Sequence, residues 1–227
     1  MDEIACDVAA SIRVLIADDH ALVREGTREV LARDPHIEIV GEAGDGQEAV
    51  ELIGRLSPDV ALVDIAMPGL NGVEVTRRAK ASHPDTAILA LTVHDEEQYV
   101  VALLEAGAEG YLLKNVHGKE LIGAIHAVYE GKSVLHNSLT RILLDHLAVS
   151  GESRVRDENP LTERELEVLR LTAEGLANKQ IAERLEVSPR TVQTHLANTF
   201  EKLDVTTRTQ AVIFALRMGW FTLEEFS

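Results

Sequence analysis

The sequence has little cysteine and no long hydrophobic run, and each absence narrows the class of protein. Cys6 is the only cysteine among 227 residues, which excludes an intrachain disulfide and a cysteine-ligated metal cluster. No run approaches the roughly 20 apolar residues of a membrane-spanning helix. The first ten residues, MDEIACDVAA, are acidic and do not resemble a signal peptide. We therefore expect a protein without a membrane partner that works in the reducing cytoplasm.

Basic residues are scarce relative to acidic ones, and the imbalance differs between the two parts of the chain. The net charge is −16. Residues 1–150 contain 12 basic and 25 acidic residues, a net charge of −13, whereas residues 151–227 contain 10 and 13, a net charge of −3. Such a chain has a small electrostatic attraction for nucleic acid. Any contact with nucleic acid must come from the second part, through few basic side chains.

Five short runs rich in Val, Ile, Leu and Ala predict five parallel strands in the first part. The runs are Ile12–Ala17, Ile37–Ala43, Val60–Val63, Ala87–Leu91 and Gly110–Leu113. Most are continuously apolar, as expected for strands that are buried on both faces. Segments with helical spacing lie between them. Five alternating strand–helix units predict a doubly wound α/β domain, which we assign to residues 12–132.

The rest of the chain predicts a linker and an all-α domain. We assign residues 133–159 to a linker that contains one helix, at about Asn137–Leu147. Residues 160–227 predict a bundle of four helices. The helices are expected at about 162–173, 178–185, 189–203 and 207–218. The first begins with a capping box, Thr162 and Glu165. The second and third, joined by a tight turn, predict a helix-turn-helix motif.

Polar side chains directly follow or close four of the five predicted strands. Asp18 and Asp19 follow the first, Asp64 the third, Thr92 the fourth and Lys114 the fifth. Open parallel sheets bind ligands at the carboxyl ends of their strands. Three carboxylates in one crevice need a cation, and oxygen ligands suit Mg²⁺. A hydroxyl and an ammonium opposite the metal suit a phosphoryl group. The pattern therefore predicts phosphoryl transfer onto a carboxylate.

These features closely resemble the receiver domain of two-component response regulators. The resemblance rests on the segments VLIADDHALVREG, DVALVDIAMPGLNGVEV, LALTVHDE and GAEGYLLKN. It also rests on the spacings of 19 residues from Thr92 to Tyr111 and 22 from Thr92 to Lys114. The resemblance implies that Asp64 accepts a phosphoryl group, which Thr92 and Lys114 then contact. It further implies that Tyr111 turns inward after phosphorylation.

The same resemblance implies a set of ligands for Mg²⁺. Asp19 and Asp64 are expected to bind the ion directly, and Asp18 through a water molecule. The backbone carbonyl of Ala66 is expected to be a further ligand. The implied phosphodonor is a sensor histidine kinase.

The second part resembles the LuxR-type output domain, so that the chain is similar to a NarL/FixJ-type transcriptional regulator. The segment that carries the resemblance is LTERELEVLRLTAEGLANKQIAERLEVSPRTVQTHLANTFEKLDVTTRTQAV. The implied partner is double-stranded DNA. Candidates for contact with base edges in the major groove lie on one face of the third helix: Arg190, Gln193, Thr194 and Ala197. Candidates for contact with phosphates are Lys179, Ser188, Thr191, Lys202 and Arg208.

Two expectations concern assembly. The last helix carries more apolar surface than a small core needs, which favours a homodimer when the protein is phosphorylated or bound to DNA. The acidic receiver is tethered near the basic face that carries Lys179, Arg190 and Lys202. We therefore expect the receiver to mask that face in the unphosphorylated chain.

Other interpretations of the same residues stay open at this stage. Asp18 and Asp19 could simply cap the helix that follows, and Gln193 and Thr194 could lie on a solvated helix face. The chain could be a DNA-binding regulator whose receiver no longer responds to phosphorylation. It could also be a phosphatase with an Asp nucleophile. Dehalogenase-like phosphatases place a second acid two residues after the first, and that position here is Ala66.

Overall fold

A parallel sheet of five strands forms the first part of the chain. The structure is a computed structural model that describes residues 11–92, 97–132, 134 and 159–221. The strands are β1 (Ile12–Ala17), β2 (Ile37–Ala43), β3 (Val60–Val63), β4 (Ala87–Thr92) and β5 (Gly110–Leu113). Their order across the sheet is β2-β1-β3-β4-β5, and all neighbours are parallel. The predicted doubly wound α/β class is confirmed, and Thr92 is the last residue of β4.

Helices cover both faces of this sheet. They are α1 (Ala21–Leu31), α2 (Gly46–Leu56), α3 (Gly72–Ser82), α4 (Glu97–Ala106) and α5 (Gly118–Tyr129). Because side chains alternate along a strand, β1 contributes to two separate cores. Val14 and Ile16 belong to the cluster that includes residues of α1 and α5. Leu15 and Ala17 belong to the cluster that includes residues of α2, α3 and α4.

Four helices form the described portion of the second part. They are α6 (Glu163–Ala173), α7 (Asn178–Arg184), α8 (Pro189–Leu203) and α9 (Arg208–Arg217). The predicted capping box is present, since the Glu165 amide donates to Thr162 Oγ1 at 3.3 Å and the Thr162 amide to Glu165 Oε2 at 2.7 Å. Ser188 caps α8 by accepting from the Thr191 amide at 3.1 Å. The helix-turn-helix motif is therefore α7, a turn and α8.

The predicted linker cannot be followed in the same way. Nearly all of residues 133–159, including the helix predicted at Asn137–Leu147, lie outside the described residues. The linker and the domain boundaries at 132 and 160 therefore stay predictions.

A buried ion pair joins α3 to the turn between α4 and β5. The Lys80 ammonium contacts a carboxylate oxygen of Glu109 and also donates to the carbonyl of Thr86 at 2.6 Å. The other oxygen of Glu109 accepts from the Ile88 amide at 2.8 Å. Burial raises the pKa of Glu109, although Lys80 and the Ile88 amide favour its charged form. This pair fixes the turn at the end of α4.

We predict that Lys80→Met lowers the free energy of unfolding by about 3 to 5 kcal/mol, because it leaves a buried carboxylate without a cation. The loss is expected to be larger at pH 8 than at pH 5, since protonated Glu109 needs no cation and its pKa is raised in the folded state. Urea unfolding at both pH values measures this. Arg78→Met on the same helix removes an exposed pair with Glu74 and should cost less than about 1 kcal/mol. Equal losses in the two variants would contradict the prediction.

Candidate functional site

Three strands bring the predicted acidic and basic side chains to one edge of the sheet. The Asp64 amide donates to the Ala17 carbonyl at 2.8 Å, so that the ends of β1 and β3 are level. The Lys114 amide donates to the Thr92 carbonyl at 2.7 Å, which aligns β4 with β5. Asp18, Asp64, Thr92 and Lys114 therefore meet at one crevice beyond the carboxyl ends of the strands, where open α/β sheets bind ligands.

Lys114 occupies the space between two buried carboxylates. Its Nζ lies 2.6 Å from Asp18 Oδ2 and 2.8 Å from Asp64 Oδ2. Both carboxylate side chains are 4% exposed. Burial alone would lower the pKa of Lys114, but hydrogen bonds to Asp18 and Asp64 outweigh burial, and the pKa is raised. The ammonium therefore stays charged and compensates the two acids.

The acidic group has the ligand types that a hard divalent cation requires. Carboxylate oxygens of Asp18, Asp19 and Asp64, and a ring nitrogen of His20, all lie within 4.8 Å of one another. Mg²⁺ prefers oxygen donors and uses only one or two protein carboxylates beside water. The donor set therefore fits Mg²⁺. Ala66 lies exposed in the loop after β3, and the role predicted for its carbonyl stays a prediction.

His20 contacts this group, which the sequence did not indicate. Its Nδ1 lies 2.7 Å from Asp19 Oδ1, and its amide donates to Asp18 Oδ1 at 2.9 Å. Its side chain is otherwise exposed. His20 is the N-cap residue of α1, but its side chain makes no capping hydrogen bond. The only signal in the sequence was its position next to the two acids.

Thr92 and Tyr111 are both buried beside the crevice. Thr92 is fully buried, and Tyr111 is 1% exposed within the hydrophobic cluster that contains Leu103 and Leu104 of α4. Tyr111 therefore points inward in this structure, where it is the largest of the fully buried side chains and fills the space under α4. The inward turn predicted to follow phosphorylation stays a prediction.

The four side chains predicted to read bases lie together on an exposed face of α8. They are Arg190, Gln193, Thr194 and Ala197. Opposite them on the same helix, Val192, Leu196, Thr199 and Leu203 are buried. The Thr194 hydroxyl donates back to the Arg190 carbonyl at 3.0 Å. The exposed face can therefore enter a groove without rearrangement of α8.

The residues predicted to contact phosphates divide into two groups. Lys179 and Ser188 are exposed, and Thr191 is half-buried with its hydroxyl 2.8 Å from that of Ser188. The Lys202 ammonium pairs with the buried Glu165 carboxylate at 2.6 Å. Part of the positive charge of Lys202 is therefore neutralised within the domain. Their contacts with DNA stay predictions.

The position of Arg208 differs from the one predicted. It is only 6% exposed, and its guanidinium donates to the carbonyls of Leu176, at 2.9 Å, and of Gly131 in the receiver. Burial lowers its pKa to about 10. The prediction that Arg208 contacts a phosphate is therefore wrong for this arrangement, because its position at the start of α9 directs the side chain inward.

The structure also differs from the prediction that the receiver masks the basic face. Lys179, Arg190 and Gln193 are exposed although both parts of the chain are present. The receiver contacts α9 instead: Gln210 Nε2 donates to the Glu105 carbonyl at 2.7 Å, and Arg217 pairs with the Glu105 carboxylate. The receiver therefore covers a different surface from the one we expected.

Among the helices that the structure describes, none has the length and apolar character needed to cross a membrane.

Comparison with known proteins agrees with both halves of this structure. Residues 14–126 match the family model of the response regulator receiver domain, and residues 159–215 match that of the bacterial regulatory proteins of the luxR family. The transcriptional regulatory protein DegU of Brevibacillus brevis is 40% identical over 223 residues, covering 92% of this chain and 94% of that protein. LiaR of Bacillus subtilis is 44% identical over 206 residues, covering 91% of this chain and 97% of that protein.

Solved structures give the same result. The response regulator ChrA of a haem-sensing two-component system is 37% identical, covers 93% of this chain and all of that chain, and has a TM-score of 0.51. A structure of RcsB dimers bound to DNA is 28% identical and covers 91% of this chain and 98% of that chain, with a TM-score of 0.54. With receiver and helix-turn-helix parts in this order, the chain belongs to the two-component response regulators of NarL/FixJ type, which are transcriptional regulators with a LuxR-type DNA-binding domain.

Proposed function

We propose that Asp64 accepts a phosphoryl group from a sensor histidine kinase and that its phosphorylation controls sequence-specific binding to double-stranded DNA. The observation that supports this most directly is the Lys114 ammonium between Asp18 and Asp64, 2.6 and 2.8 Å from their oxygens. A phosphoryl group on Asp64 would meet a cation that is already held in place. Preorganised charge of this kind stabilises a transition state without reorganisation.

The surroundings of the carboxylates favour Asp64 as the nucleophile. Asp18 is held at both oxygens, by Lys114 and by the His20 amide. Within the part of the chain that the structure describes, Asp64 is held only at Oδ2, by Lys114. An oxygen of Asp64 would attack the phosphorus of a phosphohistidine. The new P–O bond gives an acyl phosphate, and the P–N bond breaks with its electron pair retained by the imidazole nitrogen.

The acidic group supports a role for Mg²⁺ in this transfer. Asp19 and Asp64 would hold the ion directly, Asp18 through water, and the Ala66 carbonyl would complete the protein ligands. When bound, Mg²⁺ neutralises charge on the oxygens of the transferring group. His20 orients Asp19 through the contact at 2.7 Å, as partners of metal ligands commonly do.

The buried Thr92 and Tyr111 are suited to transmit the change. Thr92 closes β4, so its hydroxyl can turn towards a phosphoryl group on the neighbouring β3. Phosphorylation adds about −1.5 to −2 charge and three strong acceptors. Tyr111 lies in the same core as Leu103 and Leu104 of α4. A shift at Thr92 would therefore repack Tyr111 and α4 together.

The exposed face of α8 supports direct reading of DNA. Gln193 can pair with adenine, Arg190 with guanine, and the methyl groups of Thr194 and Ala197 can contact thymine. Lys179, Ser188, Thr191 and Lys202 would position the domain on the phosphates. This surface has few basic side chains, so we expect two copies to bind adjacent half-sites together.

The proposed partners also indicate where the protein works and what class of protein it is. A kinase phosphodonor and DNA are both reached in the cytoplasm, where we place the protein. Members of its family are transcriptional regulators and not classical enzymes. We infer that the receiver phosphorylates and dephosphorylates itself without turnover of a separate substrate.

We predict that Asp64→Asn abolishes phosphorylation by a small phosphodonor with Mg²⁺, because it removes the nucleophile but keeps the shape of the side chain. Phosphate-affinity electrophoresis measures the modified fraction. Asp85 is an exposed acid before the amino end of β4, opposite the end at which Thr92 meets the crevice, so Asp85→Asn should be modified like the wild type. A mobility shift that persists in Asp64→Asn would refute Asp64 as the phosphoacceptor.

A second prediction concerns the competition between Lys114 and the metal. Lys114→Met removes a cation that contacts two carboxylates, so Mg²⁺ should bind about 10-fold more tightly. Calorimetric titration with Mg²⁺ measures the affinity, and Lys119→Met provides a control with the same charge change at an exposed position of α5. Unchanged or weaker binding in Lys114→Met would show that the ammonium and the metal do not compete.

A further inference from the structure

A cavity of about 250 Å³ lies between the receiver and the DNA-binding domain. Its wall is formed by both domains, with Glu109 and Gly131 on the receiver side and Asn178 and Arg208 on the other side. Ligand sites occur preferentially at boundaries between domains. The cavity includes neither the crevice at Asp64 nor the residues of α8 that are predicted to read bases. Its polar groups are therefore not explained by the proposed function.

Two buried polar atoms at this wall have no hydrogen-bond partner among the described residues. They are the Nε of Arg208 and the Oδ1 of Asn178. Arg208 is 6% exposed, and its other two guanidinium nitrogens donate to the carbonyls of Leu176, at 2.9 Å, and of Gly131. Buried polar groups are nearly always paired. Because both residues line the cavity, its wall has one unused donor and one unused acceptor.

The charges buried beside the cavity do not cancel. The Lys80 ammonium neutralises Glu109, whose second carboxylate oxygen accepts from the Ile88 amide. Burial lowers the pKa of Arg208 to about 10, and no carboxylate among the described residues offsets this effect. Asp85 also lines the cavity but is exposed, so water screens its charge. One buried positive charge is left without a counter-ion, which favours an anion.

The remaining wall and the volume of the cavity limit the kind of anion that fits. Leu196 and Phe200 of α8 and Val128 of α5 contribute apolar surface, which suits a short hydrocarbon part. A water molecule occupies about 30 Å³ in the liquid, so the cavity has more space than one ordered water fills. It is nevertheless smaller than the sites of most drug-sized ligands. Water could satisfy the two unpartnered atoms, but it cannot compensate the charge of Arg208.

We propose that this cavity binds a small hydroxycarboxylate. The carboxylate would accept from the Arg208 Nε and compensate its charge, and the hydroxyl would donate to Asn178 Oδ1. A simple carboxylate would leave Asn178 without a donor, and an amino acid, whose zwitterion has no net charge, would leave the buried positive charge in excess. Because both domains form the wall, such a ligand would stabilise the contact between the receiver and the DNA-binding domain.

Three probes of similar size separate the two interactions: lactate, propionate, which lacks the hydroxyl, and lactamide, which lacks the charge. Their binding to the full chain, without phosphodonor and in chloride buffer, is measured by titration with saturation-transfer nuclear magnetic resonance. We expect propionate and lactamide each to bind about 10-fold more weakly than lactate, since each leaves one buried group of the cavity unpaired. Lactate that does not bind, or that binds no more tightly than the other two probes, would overturn the proposal.

Variants of Asn178 test the location of the site. Asn178→Ala removes the acceptor for the hydroxyl, so lactate should bind only as tightly as propionate. Asn178→Asp places a carboxylate on the same cavity wall as Arg208 and should abolish binding of both acids. Asn198→Asp makes the same change at an exposed position of α8 that does not line the cavity, and the affinities should stay as in the wild type.

Thermal unfolding verifies that each variant is folded, and the two substitutions of Asn178 give independent readouts if one of them is not. Lactate that binds Asn178→Ala and Asn178→Asp like the wild type would place its site elsewhere and would contradict the proposal. The binding of these probes does not require Asp64, so failure here is separate from failure of the proposed phosphorylation.

Discussion

Two buried carboxylates at the ends of adjacent strands require a cation, and the rest of the site depends on this requirement. In the structure Lys114 meets it, at 2.6 Å from Asp18 and 2.8 Å from Asp64. One ammonium compensates two buried acids, and the more exposed Asp19 adds a third acid nearby. The side chains already at the crevice could hold a divalent ion and then a phosphoryl group. The crevice is therefore suited to hold a cation and an anionic group together.

The contact between the receiver and α9 indicates how a change at the crevice could affect DNA binding. Tyr111, residues of α4 and Ile213 of α9 belong to one hydrophobic cluster, so Tyr111 and the DNA-binding domain share a core. The contact leaves Arg190 and Gln193, which are predicted to read bases, exposed. Covering of the recognition helix by the receiver therefore does not describe this arrangement.

Much of the fold and of the crevice could be predicted from the sequence because local rules determine them. Continuous apolar runs located the strands, and the parallel topology then required Asp18, Asp64 and Lys114 to converge. Caps at Thr162 and Ser188 located two helices. The errors concern long-range packing. Nothing local shows that Arg208 is buried against Gly131, 77 residues away, or that the receiver docks on α9. The inward position of Tyr111 depends likewise on space left by α4, which no periodicity reveals.

The central claim is that phosphorylation of Asp64 controls the binding of the chain to DNA. It is tested most directly by the affinity of the full chain for an operator, selected from random DNA by the phosphorylated protein. The affinity is measured with and without a small phosphodonor and Mg²⁺, in the wild type and in Asp64→Asn. The account predicts that the phosphodonor tightens binding by the wild type at least about 10-fold and leaves the affinity of Asp64→Asn unchanged. No response of the wild type to the phosphodonor, or an equal response of Asp64→Asn, would contradict it.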